Sequence, residues 1–288
     1  MAIRRVLILG CKGTLGGQLM KLYPEATGWD REDIDVLDFP DLRARIAAFD
    51  RAPDAVINCV AFNDVDAAED RPQQAFALNR DFPGQLARFT AELGIPLVHY
   101  SSNYVFDGVH GDYAESDPPA PLSAYGRSKW GGEQEVAEAT GQCYIVRTAV
   151  IFGPKGASDL SKKSFVDLMR DLSATRDTIQ AVADEVNSVT YAPDLAAATR
   201  SLLNGQLPPG IYHLTNSGSA SWFDLAQEIF RNTGRTVNLL PVPSTHFPRK
   251  ALRPAKAILR NTKLPELRSW REALAEFLAV SAQLSALS

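Results

Sequence analysis

"IRRVLILGCKGTLGGQLMKLY", residues 3–23, sets a short apolar run before a glycine-rich turn and a helical pattern after it. Val6 to Leu9 reads as a buried strand. Gly10, Gly13 and Gly16 then give G-x-x-G-x-x-G, with Cys11 and Lys12 between the first two. Such glycines let the backbone turn tightly and approach a pyrophosphate, which the following helix N-terminus stabilises. The spacing departs from G-x-G-x-x-G. By itself the turn therefore leaves two readings, a dinucleotide site or a tight strand–helix connection that binds nothing.

The same alternation continues outward. "DAVINCVA" (54–61), "PLVHYSS" (96–102) and "CYIVRTAVIF" (143–152) read as strands. Between them, "PQQAFALNRDFPGQLARFTAELG" (72–94) and "SAYGRSKWGGEQEVAEAT" (123–140) read as helices, the first kinked at Pro83-Gly84. Strands alternating with helices predict an α/β fold, a doubly wound parallel sheet of the Rossmann type. After Phe152 the pattern loosens into amphipathic helices ("FVDLMRDLSA", "DLAAATRSLL", "SWFDLAQEIFR") and short strands ("TIQAV", "GIYHLT"). The expected division is a dinucleotide-binding core over 1–150, completed by segments near 178–215. Residues 151–177 and 216–288 would form a smaller, interleaved substrate lobe.

Bulk properties bound the function. The 288 residues are 45% hydrophobic and 22% charged, with a net charge of −4, which are globular values. Basic residues are scattered, so neither a nucleic-acid surface nor a membrane anchor is expected. The first residues are too short an apolar run for a signal segment, and a cytoplasmic protein is the expectation. Three cysteines without metal-ligand spacing read as reduced, buried thiols, and no metal site is expected.

Asp30 follows Gly10 by about twenty residues, where a carboxylate would receive the adenosine ribose hydroxyls. Arg31 beside it would suit a 2′-phosphate. NADH and NADPH both remain open as cofactors. Tyr125 and Lys129 are four apart on one helix, so they share a face. A phenol with an ammonium beside it is a proton donor for a developing alkoxide. A third hydroxyl belongs at the C-terminal end of a neighbouring strand, and Ser101 and Ser102 lie there. Y-x-x-x-K alone is also a common surface pattern. His99 and Trp222 read as core residues, and Lys162 and Lys163 as a loop either over the site or solvated.

Several longer stretches carry a resemblance. They are "VINCVAFNDVDAAE", "ALN", "SSNYVFDG", "YAESDPPAPLSAYGRSKWGGE", "RTAVIFGP", "GIYHLT", "SWFDLA" and "RPAKAILRNTKL". The chain resembles the extended short-chain dehydrogenase/reductases and, within them, the dTDP-4-dehydrorhamnose reductase family. The resemblance implies NAD(P)H-dependent reduction of the C4 ketone of a nucleotide-linked 4-keto-6-deoxysugar, first of all to dTDP-L-rhamnose. By it, Tyr125 gives the proton, Lys129 binds the nicotinamide ribose and depresses the phenol pKa, and Ser102 completes the catalytic set. Cofactor contacts carry over to Gly10, Lys12, Gly13, Thr14, Leu15 and Gly16 at the turn, with Asp30 and Arg31 beyond it. Asp35 and Val36 would hold the adenine. Ala61, Phe62 and Asn63 would lie on the adenosine and diphosphate side, and Tyr100 at the nicotinamide end. Ser102, Asn103, Val150 and Arg253 would face the substrate, and a homodimer is allowed. Departures from the family pattern gather around the substrate. They include Asn103 for Asp, Val150 for Trp, and Glu185, Asn187 and Val189 for Gln, Gly and Pro. A second reading is a non-catalytic nucleotide-binding subunit, similar to the regulatory subunit of methionine adenosyltransferase. A reductase of a different dTDP-4-keto sugar is a third.

Overall fold

A computed structural model describes residues 3–139, 141–158, 161, 163–205 and 207–287, without the side chains of 284–287. Its main sheet has six parallel strands in the order Thr27–Trp29, Val6–Leu9, Ala55–Asn58, Leu97–Ser102, Cys143–Thr148, Gly210–His213. The four central strands are buried along their whole length. They read as unbroken apolar runs because helices cover both faces. Val6 and Ile8 pack with Leu15 and Leu19 of helix Thr14–Leu22 and with Leu195 and Leu202 of helix Ala192–Asn204. Leu7 and Leu9 point the other way, onto Leu42, Phe82, Leu86 and Val136. From Val6–Leu9 the chain runs to one neighbouring strand and then crosses to the other. Loops after Val6–Leu9 and Ala55–Asn58 therefore diverge, and a crevice opens at the C-terminal ends of these strands.

A second layer of structure sits beyond those ends. Ser219–Ser221, Val186–Ser188, Lys256–Leu259 and Gly111–Tyr113 form a four-stranded sheet. Helices Phe165–Ser173, Trp222–Thr233 and Trp270–Leu287 enclose a separate apolar cluster that includes Val166, Met169, Ile229, Trp270 and Phe277.

Four segments differ from their sequence reading. Gly111–Tyr113 leaves the first 150 residues to join the lobe's sheet, pairing with Lys256–Leu259. Thr178–Val182 pairs with Asn238–Val242, so residues 192–213, not those near 178, complete the main sheet. Its partly alternating exposure fits a half-covered strand rather than a sandwiched one. "CYIVRTAVIF" breaks after Thr148, because Val150 has φ of 38° and turns the chain out of the sheet. Ile151–Phe152 then pairs with Thr190–Tyr191. The helix over 72–94 is interrupted by a π-helical turn, Ala77–Asp81. Pro83 starts the segment Phe82–Leu93 in its first turn, where a missing N–H costs little. The π turn is thus the form the expected kink takes.

Candidate active site

The glycine turn lies at the mouth of the crevice. Helix Thr14–Leu22 begins at Gly13 with no side-chain cap, which leaves its first N–H groups without a side-chain acceptor. A Cβ on Gly16 would stand 2.1 Å from the Gly10 carbonyl oxygen, so only glycine lets the helix sit this close to the turn. Asp30 fastens the turn from the next strand. Its Oδ2 accepts the Lys12 N–H at 2.8 Å and its Oδ1 accepts the Arg31 N–H at 2.9 Å. The carboxylate expected on a ribose thus also braces the loop. Lys12 Nζ and Arg31 Nε both reach Glu32, at 2.9 and 3.5 Å. Thr14 is half-buried, whereas Leu15 packs into the core. Asp35 is exposed and accepts the Leu37 N–H, and Val36 is half-buried against the apolar cluster. Ala61 and Phe62 are half-buried and Asn63 is exposed, just past strand Ala55–Asn58. An uncapped helix start at a glycine-pressed turn fits a dinucleotide pyrophosphate.

Asn79, in the π turn, ties this edge to the Tyr125 helix. Its Oδ1 accepts the Phe62 N–H at 2.8 Å, and its Nδ2 donates to the Phe62 carbonyl and, at 2.9 Å, to Ser128 Oγ. Helix Ala124–Glu138 is capped by Ser123, whose Oγ accepts the Gly126 N–H, and Glu69 accepts the Ala124 N–H at 2.7 Å. A Cβ on Gly132 would stand 2.0 Å from the Asn79 carbonyl oxygen. Gly131 and Gly132, which cost a helix stability, are what let the π turn pack against it at Arg80 and Asn79.

Tyr125 and Lys129 are buried together there. Burial pushes the Tyr125 phenol up to about 12, with a hydrogen bond to Ser102 opposing it. Burial brings the Lys129 ammonium down to about 8, with Glu133 opposing. Lys129 Nζ donates to the Tyr100 carbonyl at 2.6 Å. The phenol is therefore not depressed as the sequence reading expected, since burial dominates and the ammonium is turned to a main-chain oxygen. Tyr100 contributes that carbonyl, while its own hydroxyl meets Thr199 Oγ1 at 2.7 Å inside the core.

The substrate side rests on the lobe. Ser102 Oγ accepts the Tyr104 N–H and donates to Asn103 Oδ1 at 3.3 Å. Asn103 Nδ2 donates to Asn187 Oδ1 at 2.8 Å and to the Ala257 carbonyl at 3.0 Å, pinning the strand end to the lobe's sheet. Val150 is half-buried against the lobe's apolar cluster. A β-branched residue at positive φ is strained, and such strain gathers at functional sites. Arg253 forks onto Asp66, at 2.7 and 3.2 Å. That hydrogen bond holds the Asp66 carboxyl down to about 2. Tyr104 stands edge-on to Tyr125, with ring centres 5.6 Å apart. Burial raises its phenol, and the charge of Arg253 opposes this. Trp222 is more than core packing, since its indole N–H donates to Glu185 at 3.2 Å. Lys163 pairs with Asp171, and Lys162 lies outside the described residues.

Behind Tyr125 runs a buried polar chain. Glu133 binds Arg147 through Nε at 2.9 Å and Nη2 at 2.6 Å. Arg147 Nη1 lies 3.5 Å from His213 Nε2, and burial, then Arg147's charge, hold that imidazole well below its ordinary range. His99 differs from its sequence reading as a satisfied core residue. Asn58 Oδ1 accepts the Val60 N–H, so its Nδ2 donates to His99 Nδ1, and His99 Nε2 has no partner among the described residues. Sequence reasoning passed over Asn79, Asp66 and Glu133 as site residues. Asn79 and Glu133 had signals, in "ALN" and in a carboxylate one helical turn after Lys129. Asp66 became visible only when the chain brought Arg253 to it.

Among the described residues, no cluster of His, Cys, Asp and Glu is poised for a metal ion, and no helix is long and apolar enough to cross a membrane. The chain as a whole has counterparts in sequence and in fold. A dTDP-4-dehydrorhamnose reductase of Mycobacterium tuberculosis (strain H37Rv) is 36% identical over 98% of this chain and 95% of its own. A probable dTDP-4,6-dihydroxy-2-methyloxan-3-one 4-ketoreductase of Streptomyces antibioticus is 38% identical over 94% of each. The crystal structure of the Bacillus anthracis dTDP-4-dehydrorhamnose reductase in complex with NADP superposes with a TM-score of 0.90 at 33% identity, covering 97% of this chain and 100% of that one. With the family model described as the RmlD substrate binding domain matching residues 4–283, the chain belongs to that family.

Proposed function

We propose that this protein uses NAD(P)H to reduce the C4 ketone of a dTDP-linked 4-keto-6-deoxysugar, first of all dTDP-4-dehydrorhamnose to dTDP-L-rhamnose. The observation that carries the reading is the buried set of Ser102, Tyr125 and Lys129 at the C-terminal end of strand Leu97–Ser102, beside the glycine turn. The turn and the uncapped helix at Thr14 would hold the dinucleotide, with Lys12 and Arg31 at its adenosine end. When bound, the nicotinamide supplies the hydride. Tyr125 gives its phenolic proton to the oxygen that becomes the new hydroxyl. A phenol held near 12 is a weak acid, but the oxygen it serves becomes an alkoxide, a much stronger base. By turning its one hydroxyl proton from Asn103 Oδ1 to the phenol oxygen, Ser102 fixes the phenol's direction, and Lys129 places a positive charge near the developing negative one. Asn103 keeps Ser102 still, and Arg253 lines the substrate side of Tyr104.

A different dTDP-4-keto sugar is the second reading. It is favoured by Val150, two residues past the Thr148 that pairs with Ser102, by the Asn103–Asn187 contact, and by the name of the Streptomyces antibioticus relative. The test is turnover of a panel of dTDP-4-keto-6-deoxysugars by the purified protein with NADPH and with NADH, the product read by NMR. Consumption of reduced cofactor with at least one sugar is expected. None with any sugar sinks the reading and favours a non-catalytic nucleotide-binding role.

A further inference from the structure

Glu185 is a buried carboxylate that proton transfer does not use. It immediately precedes strand Val186–Ser188, two residues before Asn187. Asn187 reaches Asn103, the neighbour of Ser102. The charges of Glu185 and Arg249 are felt at the Tyr104 hydroxyl, and Tyr104 stands against Tyr125. Through Asn187 and Asn103 the segment that carries this carboxylate abuts Ser102, on the side of the reacting groups. Arg249 grips both its oxygens, and Trp222 Nε1–H donates to Oε2. An ionised carboxylate offers roughly four lone-pair directions. Three are filled, and the fourth is on Oε1.

Resting on the reductase reading above, we infer that Glu185, fixed by Arg249 and Trp222, is a specificity-determining residue that accepts a hydrogen bond from a ring hydroxyl of the keto sugar. Gripped by a guanidinium on both oxygens, the carboxylate turns acceptor lone pairs to a ligand. A hydroxyl fills its last lone pair. A deoxy carbon at that position leaves the lone pair empty and sets a methylene against a buried charge. A ketone oxygen, also only an acceptor, is repelled there, whereas Tyr125 offers it a proton. The same carboxylate thus selects a hydroxylated sugar and directs its ketone toward Tyr125.

The experiment compares kcat/KM for a dTDP-4-keto-6-deoxysugar with its 2-deoxy and 3-deoxy counterparts, in wild type, Glu185→Gln and Glu185→Leu/Arg249→Met. The double variant removes both charges, so neither is left buried alone. Wild type is expected to disfavour at least one deoxy sugar by on the order of 100-fold. The double variant should narrow that ratio to less than about ten-fold while still binding NADPH, followed by its fluorescence. Glu185→Gln, which keeps shape and one acceptor oxygen, should give an intermediate ratio and serves alone if the double variant does not fold. Ratios unchanged by these substitutions, or a wild type that does not discriminate, overturn the inference and leave the reductase reading standing. A wild type that turns over no sugar at all overturns both.

Discussion

Lys129 donates to the main-chain carbonyl of Tyr100 at 2.6 Å, from a position one helical turn beyond Tyr125. One of its three N–H groups is thereby fixed, and two remain for a ligand. The ammonium is buried and sits at about 8, below its ordinary 10.5. Between those values the unfolded chain binds more protons than the folded one, so stability rises with pH across that window. Below about 8 the buried charge costs on the order of 3 kcal/mol. Lys129→Met should therefore be at least as stable as wild type at pH 7, and should lose the rise in urea midpoint between pH 8 and 10. Turnover should be abolished. An undiminished rise in the variant would assign the pH dependence to another group.

Tyr125→Phe removes one oxygen from a ring held edge-on by Tyr104. The fold and NADPH binding should survive, and kcat should fall by roughly 10²–10⁴. Ser102→Ala leaves the proton donor in place but frees its direction, so its loss should be smaller. Steady-state rates for the two variants check the order. If Ser102→Ala were the more damaging, Ser102 rather than Tyr125 would be the proton donor.

Asn79 joins two loops that the site needs together. Asn79→Ala leaves Phe62 without its two side-chain partners and Ser128 without one. Unfolding in urea should show a loss of about 2–4 kcal/mol. Ser128→Ala removes only one of these contacts and should cost about 1 kcal/mol. Equal losses would mean that the Phe62 contacts contribute nothing.

The main sheet was legible because its strands are covered on both faces, so Val6–Leu9 and Ala55–Asn58 carry continuous apolar runs. Helical spacing placed Tyr125 and Lys129 on one face, and the glycine turn, the strand-end serines and the family resemblance marked them as a candidate site. The lobe was harder. Gly111–Tyr113 has three residues and no periodicity, and only its distant partner Lys256–Leu259 makes it a strand. The break at Val150 defies local preference, since a β-branched residue resists positive φ and tertiary packing must impose it. Helix Trp270–Leu287 went unread, although Trp270, Ala273, Leu274, Phe277 and Leu278 mark a helical face against the lobe. Asp30 shows the opposite limit. Sequence placed the carboxylate just past the second strand but could not foresee that the Lys12 N–H would occupy it.

Glu133 and Arg147 form a fully buried ion pair one turn beyond Lys129. Breaking such a pair from one side leaves a charge without a partner, so Glu133→Gln should cost about 3–5 kcal/mol. Glu133→Leu/Arg147→Met removes both charges and should recover most of that loss. The double variant separates stability from function. Glu133 is the charge that opposes the fall of the Lys129 pKa, so without it the ammonium loses its proton at lower pH. The alkaline limb of the kcat/KM profile should then shift below that of wild type, even in a well-folded protein. Urea unfolding and the pH–rate profile, measured on the same preparation, read the two effects. A recovered fold with an unmoved alkaline limb would restrict Glu133 to holding Arg147.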